Sequence, residues 1–418
     1  MNLLLKNAKI IDKQNKYHLK RVDIYIENGI IKSIAKNLNP DKSHKTIKLN
    51  NLHVSVGWFD SSVSFGEPGY EERETLLHGL SVAAKSGFTA VAINPLTNPV
   101  NDTKAGISFL IDKAKNQLVD VYPIGALTQK SEGIDLAEIY DMHQAGAIAF
   151  TDYDKGLKNA NLLKLALQYA QNFDGIIMDF PLDENLAIDG QMHEGIQSTK
   201  NGMKAIPAMA EIMQIKRDLT LLKYTGGRLH IPNISCQRSV ELIKNAKKKG
   251  LQVTCSVAAH HLVLTDNELS GFDSNFKVTP PLRETRDIKA LRKGVVNGTI
   301  DMITSDHNPI DIENKKLEFS HALNGTIGLE SFFGAVNKVI DLEYIIESIT
   351  SKPRMAFKLN VPTITENAIA NLTLFNPEGA YVFNESNILS TSKNAIFLNK
   401  SLKGKVLGVF ANNTLLLN

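Results

Sequence analysis

Residues 74–93 read ETLLHGLSVAAKSGFTAVAI. Glu74 to Ser86 carries apolar side chains at helical spacing, Gly87 interrupts the pattern, and Ala90 to Ile93 is an apolar run of strand length. The same unit recurs down the chain. Val119 to Ile124 follows the helix candidate Ala105 to Gln117, Ala147 to Phe150 follows Leu136 to Gln144, and Gly175 to Met178 follows Asn161 to Gln171. Arg228 to Ile231 follows Lys204 to Tyr224, Leu251 to Ser256 follows Ser239 to Lys249, and Asp301 to Ser305 follows Ile288 to Asn297. A strand–helix repeat of this extent predicts an α/β fold, a TIM (β/α)8 barrel, over residues 51–359. An open doubly wound sheet is the alternative, but no Gly-x-Gly-x-x-Gly loop follows the first strand.

The two ends differ from this middle. Leu3 to Ile11 is apolar and β-rich, Val22 to Glu27 alternates, and Asn28-Gly29 is a hairpin turn leading into Ile30 to Ile34. Ala370 to Phe375, Ala380 to Phe383, Lys405 to Phe410 and Thr414 to Leu417 have the same character, with Ala411-Asn412-Asn413 turning between the last two. β-rich ends around a different middle predict one small β-sandwich domain assembled from residues 1–50 and 360–418.

Composition bounds the rest. Of 418 residues, 43% are hydrophobic and 22% charged, an ordinary globular balance with ample core material. The formal net charge of +3 is too small to call for a polyanion, and the run Lys247 to Lys249 before Gly250 reads as a solvated helix end, so no nucleic-acid partner is expected. Cys236 and Cys255 lack metal-ligand spacing, and two cysteines make no disulfide framework. The start Met1-Asn-Leu-Leu-Leu-Lys lacks signal-peptide anatomy, and no apolar run approaches the roughly 20 residues of a membrane span. A cytoplasmic location without a membrane partner is the expectation.

In TIM barrels the chemistry sits at the C-terminal ends of the strands. The first such end reads GWFDSSVSFGEPG at residues 57–69, followed by Glu74-Thr75, Ser86-Gly87-Phe88-Thr89 and Asn94-Pro95-Leu96-Thr97-Asn98-Pro99. This ordered set resembles the dihydroorotase family of the amidohydrolase superfamily. That family carries Pro-Gly-Phe-Ile-Asp-x-His-Val-His, then x-Arg-Glu-Pro-Gly, Gly-Gly-Phe-Thr and Met-Pro-Asn-Thr. The frame matches without a gap, yet Ser62 and Ser64 stand where the resemblance places the His-x-His zinc ligands. Gly66 stands where an arginine would grip the substrate carboxylate, and Leu96 where an asparagine would contact it.

The resemblance extends to Pro377. Ala149-Phe150-Thr151-Asp152 resembles the strand that ends in a metal-ligand aspartate, and Asp179 falls where a histidine ligand ends the next strand. In Leu229-His230-Ile231-Pro232-Asn233-Ile234-Ser235, Asn233 takes the place of the zinc-binding second histidine of His-x-x-His-Val-Ser. Val253 to Leu262 is similar to Glu-Val-x-Pro-His-His-Leu, with Ser256 for the glutamate, and Phe276 to Arg283 carries Thr279 for a substrate-contacting asparagine. Thr304-Ser305-Asp306-His307-Asn308-Pro309-Ile310 resembles Asp-His-Ala-Pro-His: Asp306 keeps the catalytic aspartate, while Ile310 replaces the substrate-facing histidine.

Cleaving a cyclic amide at neutral pH calls for a metal-bound hydroxide. Zinc takes imidazole nitrogens or carboxylates, and serine or asparagine is a weak replacement. Only Asp152, Asp179 and Asp306 remain as cation-binding carboxylates, a set suited to a hard ion such as magnesium. Gly66, Leu96, Thr279 and Ile310 offer no carboxylate clamp and no bonds to a pyrimidine ring. Loss of both sets points to lost activity, with Asp306 idle and no cofactor expected. Asp152 and Asp179 are read as solvated or paired with a lysine, His260 and His261 as structural, His230 as a core or supporting residue, and Asp60 as orienting the first strand end.

The resemblance implies a non-catalytic dihydroorotase-like chain of pyrimidine biosynthesis, a structural partner of aspartate carbamoyltransferase, and a homo-oligomer is expected. One rival is an active cyclic amidohydrolase with altered metal ligands, which would need zinc or a substitute. Another is a small-molecule binding module that uses the old pocket.

Overall fold

The computed structural model describes residues 1–418. Thr75 caps the helix Leu76–Lys85 by accepting from the His78 amide, and Leu76, Leu80, Val82, Ala83 and Ala84 form its buried face. The strand Phe88–Ile93 that follows is buried at every position, as a strand covered on both faces must be.

Eight parallel strands form the barrel: Trp58–Val63, Phe88–Ile93, Asp120–Gly125, Ala149–Phe150, Ile177–Met178, Leu229–Ile231, Val253–Ala258 and Met302–Thr304. Neighbours in sequence are neighbours in the sheet. The eighth strand closes on the first through a parallel bridge between Val63 and His307 and a 2.7 Å bond from the Ser64 amide to the His307 carbonyl. The α/β TIM barrel read from the repeat is the fold.

Strands from both termini share one sheet, in the order Thr414–Leu417, Ser401–Ala411, Leu372–Val382, His53–Val56, Asn2–Ile10, Arg21–Glu27, Ile30–Ala35, with Lys45–Ile47 pairing Asn2–Ile10. This is the β-sandwich domain beside the barrel. Leu3, Leu5, Ile24, Ile26, Val54, Leu372, Leu374 and Phe410 lie in its core. Two runs that read as separate strands, Ala370 to Phe375 and Ala380 to Phe383, belong to the single strand Leu372–Val382, whose register jumps between Asn376 and Ala380. That irregularity absorbs Pro377 and Gly379, which a regular ladder does not favour.

Between Leu372–Val382 and Ser401–Ala411 the chain leaves the sheet and lies on the barrel. Phe383, Ile388, Ala395 and Phe397 pack with Leu264, Val278, Leu282 and Ile327. Buried Glu74 accepts from the amide and hydroxyl of Thr391, and Glu330 accepts from the amides of Leu389 and Ser390. Trp58 stacks within 5.9 Å of Phe88, 5.1 Å of Phe333 and 5.5 Å of Phe375, fastening the barrel to the sandwich. No helix is long and apolar enough to cross a membrane.

Candidate functional site

The residues singled out at the first strand end meet others from the eighth. Asn94 donates through Nδ2 to Ser62 Oγ at 3.0 Å and to Ser64 Oγ at 3.2 Å. Beneath them Asp60 accepts from the Thr304 hydroxyl and from the amides of Ser305 and Ser62 at 3.1 and 3.2 Å. Burial raises the Asp60 carboxyl, and these bonds oppose the shift. Asp60 therefore ties the closing seam of the barrel together.

Asn233 and Asp306 both sit in the left-handed backbone region, at φ 48° and 51°. Their turns aim the two side chains at each other, and Asn233 Nδ2 donates to Asp306 Oδ1 at 2.8 Å. Burial lifts Asp306 to about 7; Asp60 and Asp154 raise it further, and the Asn233 bond works against them. Tyr153, also left-handed at φ 61°, follows Asp152 directly in the chain and is buried. Burial raises the Tyr153 phenol well above its usual range, helped by the charges of Asp306 and Asp154.

The other two carboxylates are engaged elsewhere. Asp152 accepts from the amides of Leu127 and Thr128 at 3.1 and 3.0 Å and from the Thr128 hydroxyl at 2.6 Å. Asp179 accepts from the Leu157 amide at 2.9 Å, Gln214 Nε2 at 2.8 Å and Arg217 Nη2 at 3.0 Å. Arg217 also reaches Asp218 at 2.7 Å. Burial and the neighbouring Asp179 push Asp218 well above the carboxylate range, and Arg217 opposes the shift. The expectation of solvated carboxylates or a lysine partner is corrected: both aspartates are buried, Asp152 bonds to hydroxyl and amides, and Asp179 pairs with an arginine.

On the substrate side, a Cβ at Gly66 would fall 1.8 Å from the Tyr70 carbonyl oxygen, so this backbone has no room for an arginine there. Leu96 and Thr279 are half-buried. Ile310 is buried, and its amide donates to Asn394 Oδ1 at 3.2 Å, which places the C-terminal excursion against the position of a substrate-facing histidine.

The histidines named from the strand ends, His230, His260 and His261, lie inside the protein. His230 is buried, with Nδ1 2.9 Å from Thr254 Oγ1 and Nε2 3.3 Å from Ser256 Oγ. His261 Nε2 meets the Pro280 carbonyl at 2.9 Å, and its ring packs 4.4 Å from that of His260. Burial lowers His230 to about 3 and His261 to about 4, so both rings are neutral.

The family resemblance implies zinc, and the donor set at the mouth does not fit it. Zinc needs lone pairs converging at about 2.0–2.2 Å. Asn233 and Asn94 direct N–H groups at Asp306 and the two serines, Asp152 and Asp179 bond to other elements, and the unpaired Asn233 Oδ1 is only a neutral amide oxygen. Motif reading missed Tyr153, Asn94, Thr128, Gln214, Arg217 and Asp218. Gln214, Arg217 and Asp218 lie at one side of the helix Ala208–Thr225, where no family signature marks them. Tyr153 directly follows the quoted Asp152, and nothing in the motif marks it.

Comparison with known proteins agrees with this architecture. The L-hydantoinase (dihydropyrimidinase) from Arthrobacter aurescens superposes with a TM-score of 0.86 at 22% identity, over 100% of this chain and 96% of that one. A D-hydantoinase (dihydropyrimidinase) from Thermus sp. gives 0.83 at 20% identity, over 100% and 95%. This likeness defines the class by fold: a TIM barrel carrying a β-sandwich. Residues 53–239 match the family described as Dihydro-orotase-like. The chain is 36% identical over 410 residues to a dihydroorotase of Geotalea daltonii, covering 97% of this chain and 96% of the relative. It is 38% identical over 413 residues to one of Ruminiclostridium cellulolyticum, covering 97% and 96%. The chain belongs to the dihydroorotase family.

Proposed function

We propose that this chain is a non-catalytic dihydroorotase-family protein of pyrimidine biosynthesis, acting in the cytoplasm as a structural partner of aspartate carbamoyltransferase. One observation carries the non-catalytic part: the Asn233 amide donates to Asp306 where the family places a zinc-bound imidazole beside the catalytic aspartate. A carboxylate that accepts from a protein amide, where the family sets a metal-binding imidazole, lacks the neighbour that would generate a hydroxide for it. The partner assignment rests on the resemblance to family chains that lack zinc ligands and associate with that transferase. A retained family fold with an altered donor set at the mouth suits a protein kept for its surface.

The test is a tagged chain recovered from its native cell, with the recovered protein assayed for interconversion of carbamoyl aspartate and dihydroorotate in added zinc. Aspartate carbamoyltransferase in near-equal amount and no turnover are expected. Turnover that disappears in Asp306→Ala overturns the non-catalytic reading. Recovery without the transferase overturns the partner.

A further inference from the structure

A second cluster of ligand-type side chains lies outside the positions discussed above. His193 ends the short strand Met192–His193, within the long excursion between the fifth and sixth barrel strands. Glu284 immediately precedes the helix Thr285–Val296 without making a side-chain capping bond, and Asp287 lies in its first turn. One ligand atom from each of His193, Glu284 and Asp287 lies within 4.8 Å of the others. His193 is only 4% exposed, and its Nε2 is buried without a hydrogen-bond partner. A buried imidazole nitrogen with nothing to bond is costly unless something occupies its lone-pair or proton direction.

Asp266 converges on the same spot. The point where a Cβ would stand at Gly195 is 3.5 Å from Glu284 Oε1, 3.5 Å from His193 Cδ2 and 3.7 Å from Asp266 Oδ2. Glycine keeps that space open. Three carboxylates therefore surround one neutral imidazole. Asp266 and Asp287 are both raised, first by burial, with Glu284 and Asp287 adding to the shift at Asp266. The nearby cations are already engaged. Exposed Arg286 pairs with Glu284 at 3.0 Å, and Arg283 Nη1 serves His193 Nδ1 at 2.9 Å and the Ile206 carbonyl at 3.0 Å.

We propose that His193, Glu284 and Asp287, with Asp266 beside them, bind one divalent transition-metal ion of the zinc class, at a site separate from the barrel mouth. One imidazole nitrogen with carboxylate oxygens is a borderline donor set that suits such an ion better than calcium or magnesium. The ring must present a lone pair at Nε2. Arg283 can only donate, so without a metal Nδ1 accepts and the ring proton sits on Nε2. Binding moves that proton to Nδ1, and Arg283 gives up its bond there while keeping the Ile206 carbonyl. The helix N-terminus opposes a cation, but its partial charge is small beside three carboxylates. The ion would staple the excursion that carries His193 to the loops that carry Asp266 and Glu284. This site is independent of the function proposed above.

The experiment is calorimetric titration of the full-length, EDTA-stripped protein with zinc chloride. One zinc per chain is expected, weakened by at least about tenfold in Glu284→Gln and in His193→Asn. Asp152→Asn and Asp306→Asn should bind as the parent does. Glu284 is partly exposed, so its variant keeps the test valid if the histidine variant fails to fold. Crystals grown with zinc should show anomalous density beside His193. No zinc binding, binding that survives both Glu284→Gln and His193→Asn, or binding lost in Asp306→Asn each overturns the site.

Discussion

The Asn233 side-chain amide donates to the Asp306 carboxylate at 2.8 Å, and each residue holds a left-handed backbone conformation to make that bond. A hydrogen bond to a charged group contributes about 1.5–3 kcal/mol, enough to offset part of the burial of Asp306. The amide thus supplies, in covalent form, part of the neutralisation that a bound cation would give. The mouth is built to be stable on its own donors.

Activity should be absent, and partial restoration should not bring it back. The double variant Ser62→His, Ser64→His still has Asn233 facing Asp306 and no cation beside the substrate carboxylate. Dihydroorotate turnover measured by ultraviolet absorbance, with zinc added, should stay at the buffer rate for parent and double variant alike. Enzymatic turnover in the double variant would show that Asn233 and the substrate positions do not block the chemistry.

Stability should fall as pH rises from the ordinary carboxylate value of 3.8 towards about 7 because of Asp306. Its folded value of about 7 lies above the ordinary 3.8, so between the two the native state holds a proton that the unfolded chain has released. The native state is then favoured at the acid end, and the loss is complete above about 7, at up to about 1.4 kcal/mol per pH unit. Buried His230 and His261 act in the opposite direction at acid pH: their lowered values cost stability as pH falls below about 6.5. Comparing Asp306→Asn with the parent isolates the aspartate. In urea unfolding the variant should gain on the parent steadily from about pH 4 to about pH 7. A difference that does not change with pH would place the Asp306 titration elsewhere.

Gly66→Arg should damage the fold rather than rebuild a substrate clamp. Its Cβ would overlap the Tyr70 carbonyl oxygen at 1.8 Å, a backbone atom that cannot swing aside. Overpacking of this kind costs about 1–3 kcal/mol. Thermal unfolding should show a clear drop, with no gain of affinity for carbamoyl aspartate. An unchanged midpoint would mean that the loop of Gly66 to Tyr70 relaxes freely.

Arg217 should behave as a fixed counter-ion. Arg217→Met leaves Asp179 and Asp218 buried together, and breaking a buried charge pair costs about 3–5 kcal/mol. Adding Asp179→Asn to Arg217→Met should recover much of that loss, since one of the crowded carboxylates is then gone. Urea denaturation of both variants measures it. A double variant no better than the single one would remove the charge explanation.

The barrel was legible because its strands are apolar on both faces and its helices are amphipathic, a contrast that survives in a single sequence. The candidate positions were legible for a different reason, since Ser62, Gly66, Asn233 and Asp306 hold their places in an ordered set of motifs. The partners of those residues were not. Arg217 reaches Asp179 from a helix distant in sequence, and only folding brings them to 3.0 Å. The sequence likewise shows nothing of residues 383–400 crossing onto the barrel, because a short apolar run reads the same whichever domain it covers.

The route of the chain also bears on how this protein comes to exist. Gly57, at the doorstep of the first barrel strand, donates its amide to the Asn371 carbonyl at 2.9 Å; Val54 and Val56 pair with Leu374 and Leu372; and Phe375 covers Trp58. The earliest barrel strand made is thus the last to be covered. Until the final strands leave the ribosome, Trp58 and the open edge of His53–Val56 remain exposed, and pairing over such a sequence distance is slow. A message truncated before Leu372 therefore yields a chain with its barrel unsealed and a sheet edge bare, a substrate for chaperones and proteases rather than a smaller working protein.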